Sequence, residues 1–210
     1  MNKGLTLCNV AISKGGKPLL SINHTIAPGE VLTIMGPSGV GKSTLLAFVT
    51  GSLAPDFSAS GSVILDGMDI TLAPAHQRRV GILFQEDLLF PHLSVGANLH
   101  FGLRAGGTAV DRQKLVERAL EEVDLAGYAN RDPATLSGGQ KARVALMRML
   151  LPEPCALLLD EPFSRLDATL RAQIRNLVFE RAKSRQLPVL MVTHDQADAD
   201  AAHGKIITLG

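Results

Sequence analysis

The sequence predicts an α/β fold: a mostly parallel sheet, an N-terminal antiparallel β flap and an inserted α-helical lobe. An apolar, β-branched run at 31–35 feeds straight into the glycine-rich stretch Gly36-Pro37-Ser38-Gly39-Val40-Gly41-Lys42-Ser43. Beyond it, short apolar runs alternate with helical stretches, the pattern of parallel strands joined by crossover helices. From Glu86 to about Ala134 that alternation stops, and no strand is needed to explain the residues there.

In chain order, residues 5–12 alternate like a strand with one buried face, and 13–18 is a turn cluster. Residues 19–26 offer a second strand, which makes the flap. A helix is expected from Ser43 to about Gly51, then a loop through Gly61, then a strand and turn at 62–67. Residues 80–84 form a short strand that ends at Gln85. In the lobe, 111–123 has helical periodicity, with Asp111 expected as N-cap and Gly127 as stop signal. A further helix leads to Leu151 and is stopped by Pro152 and Pro154. Residues 155–160 and 189–193 read as strands, 168–184 and 195–202 as helices, and 206–209 as a last strand.

The stretch 36–43 fits the phosphate-binding pattern G-x-x-x-x-G-K-[ST], between a strand and a helix opening at Thr44. Glycines let the backbone curl so that successive N–H groups point into one cavity, and the helix adds its positive end. Lys42 is expected to reach the β- and γ-phosphates, and Ser43 to bind Mg²⁺. Residues 156–160 then form an apolar strand that ends in Asp160, placed to hold the same Mg²⁺. The adjacent Glu161 is the natural group to orient or deprotonate an attacking water. The chain therefore binds a nucleoside triphosphate.

Composition bounds the alternatives. The 210 residues are 46% hydrophobic, ample for a core, and a net charge of +1 gives no nucleic-acid signal. No apolar stretch approaches a membrane span, and no signal-peptide pattern precedes the first strand, so a soluble intracellular protein is expected. Cys8 and Cys155 are expected to be reduced, buried and unrelated to each other. The histidines show no metal-ligand spacing.

Together these residues resemble the ATP-binding cassette ATPases over essentially the whole chain. Leu136-Ser137-Gly138-Gly139-Gln140 matches the family's signature, and it lies between the P-loop and the Asp160-Glu161 pair. Gln85 falls at the Q-loop, Ser164-Arg165-Leu166-Asp167 at the D-loop and His194 at the switch histidine. The resemblance implies a RecA-like P-loop NTPase core at 1–85 and 152–210, with a helical signature lobe at 86–151. It implies head-to-tail dimers that enclose two ATP molecules, each held by one P-loop and by Ser137, Gly138, Gly139 and Gln140 of the other subunit. Glu161 would be the general base, His194 would contact the γ-phosphate, and Asp167 would communicate across the dimer. Gln85 would link Mg²⁺ and the water to the lobe.

The family usually stacks adenine on an aromatic residue in the loop after the first strand. Residues 11–18, A-I-S-K-G-G-K-P, contain none. Either aliphatic and backbone contacts hold the base, or it is bound weakly until the dimer closes. Arg143 and Arg148 are expected to make surface salt bridges, with phosphate-field residues as the alternative.

Resemblance is strongest to compact bacterial importer ATPases. It implies integral-membrane permease partners, a solute-binding protein in the complete system and a site on the inner face of the membrane. Residues 89–95 resemble the segment that lines the permease groove; a core-packing turn is the other reading. The alternative function is a soluble ATPase of the same superfamily, acting on a nucleic acid or protein complex.

Overall fold

Two sheets of different character are stacked in the computed structural model, which describes residues 3–209. Strands β1 (Leu5–Lys14) and β2 (Lys17–Ile26) form a hairpin about Gly15-Gly16, both at positive φ. Strand β3 (Val31–Met35) is buried from Val31 to Ile34 and leads into helix α1 (Lys42–Thr50). Strands β4 (Phe57–Leu65) and β5 (Met68–Asp69) complete an antiparallel sheet in the order β2-β1-β4-β5.

The expected loop through Gly61 is therefore a strand for its last residues. Phe57, Ser58, Ala59 and Ser60 pair with Lys14, Ser13, Ile12 and Ala11 of β1. The small residues Ser58, Ala59 and Ser60, which suggest a loop, are all exposed in this strand. Gly61 permits the irregularity that follows: at φ 88° a Cβ there would lie 2.4 Å from the Asn9 carbonyl oxygen.

The second sheet adds β6 (Val80–Leu83), β7 (Ala156–Asp160), β8 (Val189–Thr193) and β9 (Lys205–Thr208), parallel throughout in the order β6-β7-β8-β3-β9. Strands β7 and β8 are apolar almost end to end because both of their faces are covered. Alternate residues go to different cores. Leu32, Ile34, Leu158, Leu190 and Val192 pack with α1 and the antiparallel sheet. Val31, Leu157, Leu159, Val189 and Met191 face the helices on the other side.

Those helices are α2 (Val95–Gly102), α3 (Ala109–Glu121), α4 (Gly138–Leu150) and α5 (Ala168–Ser184); α6 (Gln196–Ala201) follows β8. Among the described residues, 86–151 holds no strand, as expected. The lobe shares its apolar core with one face of the parallel sheet through Leu83 and Leu157, and with α5 through Ile174 and Val178.

Two local expectations change. The N-cap of α3 is Thr108, whose hydroxyl accepts from Asp111 N while Asp111 bonds back to Thr108, a reciprocal capping box. Asp111 is thus the third helical residue, and α3 ends at Glu121, well before Gly127. Cys8 and Cys155 are free, as expected, but only half-buried.

Candidate nucleotide-binding site

Strands β3, β7 and β8 end along one edge of the parallel sheet, where an open α/β sheet binds its ligands. From β3 the chain turns through Gly36, Gly39 and Gly41, all at positive φ. Gly36 is required twice over, because a Cβ there would also meet the Leu209 carbonyl oxygen at 2.7 Å. Gly41 is the N-cap of α1 and carries no side chain, so no side-chain cap occupies the helix's first N–H groups. An uncapped helix start is an anion site.

Lys42 is buried to 6% exposure, yet its ammonium is satisfied: Nζ donates to the carbonyls of Gly36 at 2.7 Å and Pro37 at 3.0 Å. The loop holds this cation at its own mouth, where a polyphosphate would compete for it. The Ser43 hydroxyl donates to Asp160 Oδ1 at 3.1 Å, across 117 residues of sequence. Burial, first of all, pushes the Asp160 carboxyl above its usual range; Glu161 beside it adds to this, while Ser43 and Lys42 oppose it. Serine and carboxylate oxygens suit a hard divalent cation. No group of three or more His, Cys, Asp or Glu side chains arranged for a metal exists among the described residues. Ser43 and Asp160 together form an oxygen pair that fits Mg²⁺.

Glu161 sits just past β7 in the left-handed region, at φ 46°. A non-glycine residue there is strained. Its N–H donates to the Val192 carbonyl at 3.0 Å, and its own carbonyl accepts from the Ser164 hydroxyl at 3.0 Å. So anchored, the Glu161 carboxylate lies 3.1 Å from Nδ1 of His194, the residue after β8. The carboxylate is largely enclosed and the imidazole exposed. The two residues singled out as base and γ-phosphate contact are thus neighbours. A cavity of about 370 Å³ joins Ser38, Gly39, Gly41, Lys42, Ser43, Thr44 and Glu161 to Lys14, Leu19 and Phe57. Those last three are not among the predicted site residues; Phe57 is hidden because the segment before Gly61 reads as a loop.

The remaining predicted residues lie apart from this cavity. Gln85 is exposed two residues beyond β6, and Asp167 is the N-cap of α5, accepting from Leu170 N at 3.1 Å. Ser137 caps α4 through a capping box with Gln140. The two signature glycines differ. Gly138 is exposed, with nothing within 4 Å of a Cβ placed on it, whereas a Cβ on Gly139 would meet Leu170 Cδ1 at 2.4 Å. Gly139 therefore allows α4 to approach α5, and Gly138 alone leaves the helix start open.

The expectation for the arginines is corrected in part. Arg143 bridges to Asp124 at 3.3 Å and also donates to the Val123 carbonyl. Among the described residues Arg148 makes no salt bridge: it donates to the carbonyls of Leu88 and Asp87 at 2.9 and 3.1 Å and lies over the Phe90 ring. With the buried Asn98, which holds Phe90, Leu93 and Ser94 through the backbone, it fixes the segment after Gln85. Within 89–95, Val95 is fully buried and Leu89 packs on the core, while Phe90 lines a surface groove with Phe84, Leu88 and Phe101. Core packing therefore accounts for Leu89 and Val95, and Phe90 is left at the groove.

Comparison with known proteins bears on the chain as a whole. A family model described as ABC transporter matches residues 19–164. An Escherichia coli K12 protein described as the uncharacterized ABC transporter ATP-binding protein YnjD is 50% identical over 87% of this chain and 84% of its own length. The thiamine import ATP-binding protein ThiQ of Vibrio parahaemolyticus is 43% identical over 92% of this chain and 86% of its own. The Fe(3+) ions import ATP-binding protein FbpC of Pasteurella multocida is 40% identical over 99% of this chain; the match spans only 59% of that longer protein. Among solved structures, the ATP-binding cassette MJ0796, a dimer in a post-hydrolysis state with ADP and Pi, aligns with a TM-score of 0.79 and 32% identity. That alignment covers 98% of this chain and 94% of the other.

Proposed function

The chain belongs to the ABC transporter family as one of its ATP-binding, ATP-hydrolysing subunits, and from that premise we propose how its own residues turn over ATP and what the turnover drives. The observation that carries the proposal is the Glu161–His194 contact of 3.1 Å: Glu161 lines the same cavity as Lys42 and Ser43, and the Ser43 hydroxyl is bonded to Asp160. Amides of 38–44 and the Lys42 ammonium hold the triphosphate; Ser43 and Asp160, with Gln85 from just beyond β6, would hold Mg²⁺. The cation, when bound, neutralises charge that gathers on the phosphoryl oxygens. Glu161 accepts the proton of the attacking water, and His194 donates a hydrogen bond to the γ-phosphate while keeping that carboxylate aimed.

The cavity is open, so one subunit leaves the γ-phosphate uncovered. We assign the second wall to the Ser137-Gly138 helix start of another copy, in a head-to-tail dimer with Asp167 at the seam. That copy's exposed Gly138 supplies bare N–H groups to the same phosphate. Loss of the γ-phosphate removes the bridging anion and lets the dimer open.

No described helix is long and apolar enough to cross a membrane. Transport, in the direction of import, is therefore assigned to separate permease subunits, with a solute-binding protein upstream. Their docking site is the groove of about 780 Å³ lined by Phe84, Leu88, Phe90 and Phe101, of which Phe84, Leu88 and Phe101 are unusually exposed for large apolar residues. The subunit would thereby sit on the inner face of the membrane.

Glu161→Gln tests the reading. The variant keeps the shape and loses the base, so it should bind Mg-ATP, stop hydrolysing and accumulate as dimers by light scattering. A variant that still hydrolyses ATP, or one that binds Mg-ATP and stays monomeric, would overturn it. Affinity purification of that variant from detergent-solubilised native membranes should recover an integral-membrane protein; recovery of soluble partners alone would favour an ATPase working away from membranes.

A further inference from the structure

We infer that Phe57 is the platform on which the nucleotide's base stacks. The inference rests on the nucleotide-binding reading above and adds the residue that holds the base. The cavity ahead of α1 has two kinds of wall. Glycine amides, Lys42, Ser43 and Thr44 make the phosphate end, while Lys14, Leu19 and Phe57 make the other. A nucleotide with its phosphates on the loop must lay the rest of itself along that second wall. Phe57 is the aromatic side chain there.

The placement follows from strand register. Phe57 opens β4 directly opposite Lys14, the last residue of β1, next to the two-glycine turn. A Cβ on Gly15 or Gly16 would meet nothing within 4 Å, so the turn leaves the approach to the ring open. The turn offers no aromatic of its own; the neighbouring strand supplies one from across the ladder. Phe57 also packs on the core of the antiparallel sheet and α1, so the ring is held in place before any ligand arrives.

The open side of the ring already attracts a flat or cationic partner. The Lys14 ammonium lies over it, 4.7 Å from the centroid. Among the described residues Lys14 is otherwise tied only to Asp56, at 3.0 Å, in a pair whose side chains are both more than half exposed. Such a tether is weak. A base can take the ammonium's place on the ring, and Lys14 then lies in the same cavity as the triphosphate, whose charge it complements. Stacking uses the ring's face, which every purine presents, so Phe57 holds the base without reading its edge.

The chain contains no tryptophan, so Phe57→Trp places a single indole at the proposed contact. ATP with Mg²⁺ should change its emission, whereas inorganic tripolyphosphate, which has no base, should bind and leave it unchanged. Phe57→Leu keeps apolar bulk for the core and removes the ring: ATP affinity should fall about tenfold, with tripolyphosphate affinity kept. Unaltered ATP binding by Phe57→Leu, or an indole silent to saturating ATP, would mean that Phe57 only packs the flap, and the proposal fails. Failure of the unmodified chain to bind either compound would instead overturn the nucleotide-binding reading itself, and this inference with it.

Discussion

Arg171 of α5 grips Asp198 of α6: Nε donates to Oδ1 at 2.9 Å, Nη2 reaches Oδ2, and the carboxylate is only 2% exposed. Arg175 joins from the next turn at 3.2 Å, and Arg171 also pairs with Asp195, the N-cap of α6, at 2.9 Å. Hydrogen bonding to Asp198, the largest influence, raises the Arg171 guanidinium above its ordinary value. Asp167 caps the start of α5 and α6 starts two residues after His194, so this cluster ties the α5 helix to the strand end that carries His194.

Removing one member of such a cluster leaves uncompensated charge in a poorly hydrated place. Asp198→Ala should therefore cost about 3–5 kcal/mol of unfolding free energy, read from urea denaturation with the slope unchanged. Adding Arg171→Met to that variant removes one stranded cation and should recover part of the loss. A double variant no more stable than the single would show that the cost lies in packing.

A second prediction concerns pH. Hydrogen bonds from the Thr108 hydroxyl, then from its backbone, hold the Asp111 carboxyl below its ordinary value of 3.8. A depressed carboxylate contributes stability that is fully present above the unfolded value and lost as pH falls through the folded one. Asp111→Ala should thus melt below the unmodified chain at pH 7, and the gap should narrow as the pH drops below about 4. A gap independent of pH would mean that the box works through helix propensity and not through the charge.

Much of the site was legible because its chemistry is local. A strand, three glycines, Lys42 and Ser43 are contiguous, as are Asp160 and Glu161, and each group needs only its own strand end to be aimed. What the sequence hides is what two distant segments make together. Phe57 reads as part of a loop until its strand is placed against Lys14, and then it becomes cavity wall. Arg148 reads as a surface charge until the carbonyls of Asp87 and Leu88 close on it. Gly139 reads like Gly138 until Leu170 is packed above it. Helix starts suffered for a related reason: in T-A-V-D either Thr108 or Asp111 can cap, and only the reciprocal bonds decide.

The contrast between the two signature glycines separates folding from assembly. At Gly139 a new methyl would run into Leu170, so Gly139→Ala should lower stability by about 1–3 kcal/mol through overpacking, before any nucleotide is added. At Gly138 a side chain meets only solvent in the single subunit, and replacing a glycine in a helix relieves its entropy cost. Gly138→Leu should therefore melt no lower than the unmodified chain and should bind ATP on its own P-loop normally. Its isobutyl group would stand where the partner's γ-phosphate approaches, so ATP-dependent dimerisation in the Glu161→Gln background should disappear, and steady-state hydrolysis by Gly138→Leu alone should fall to background. Normal dimerisation by Gly138→Leu would mean that the helix start does not face the partner's nucleotide, and the head-to-tail arrangement would have to be abandoned while the P-loop assignment stood.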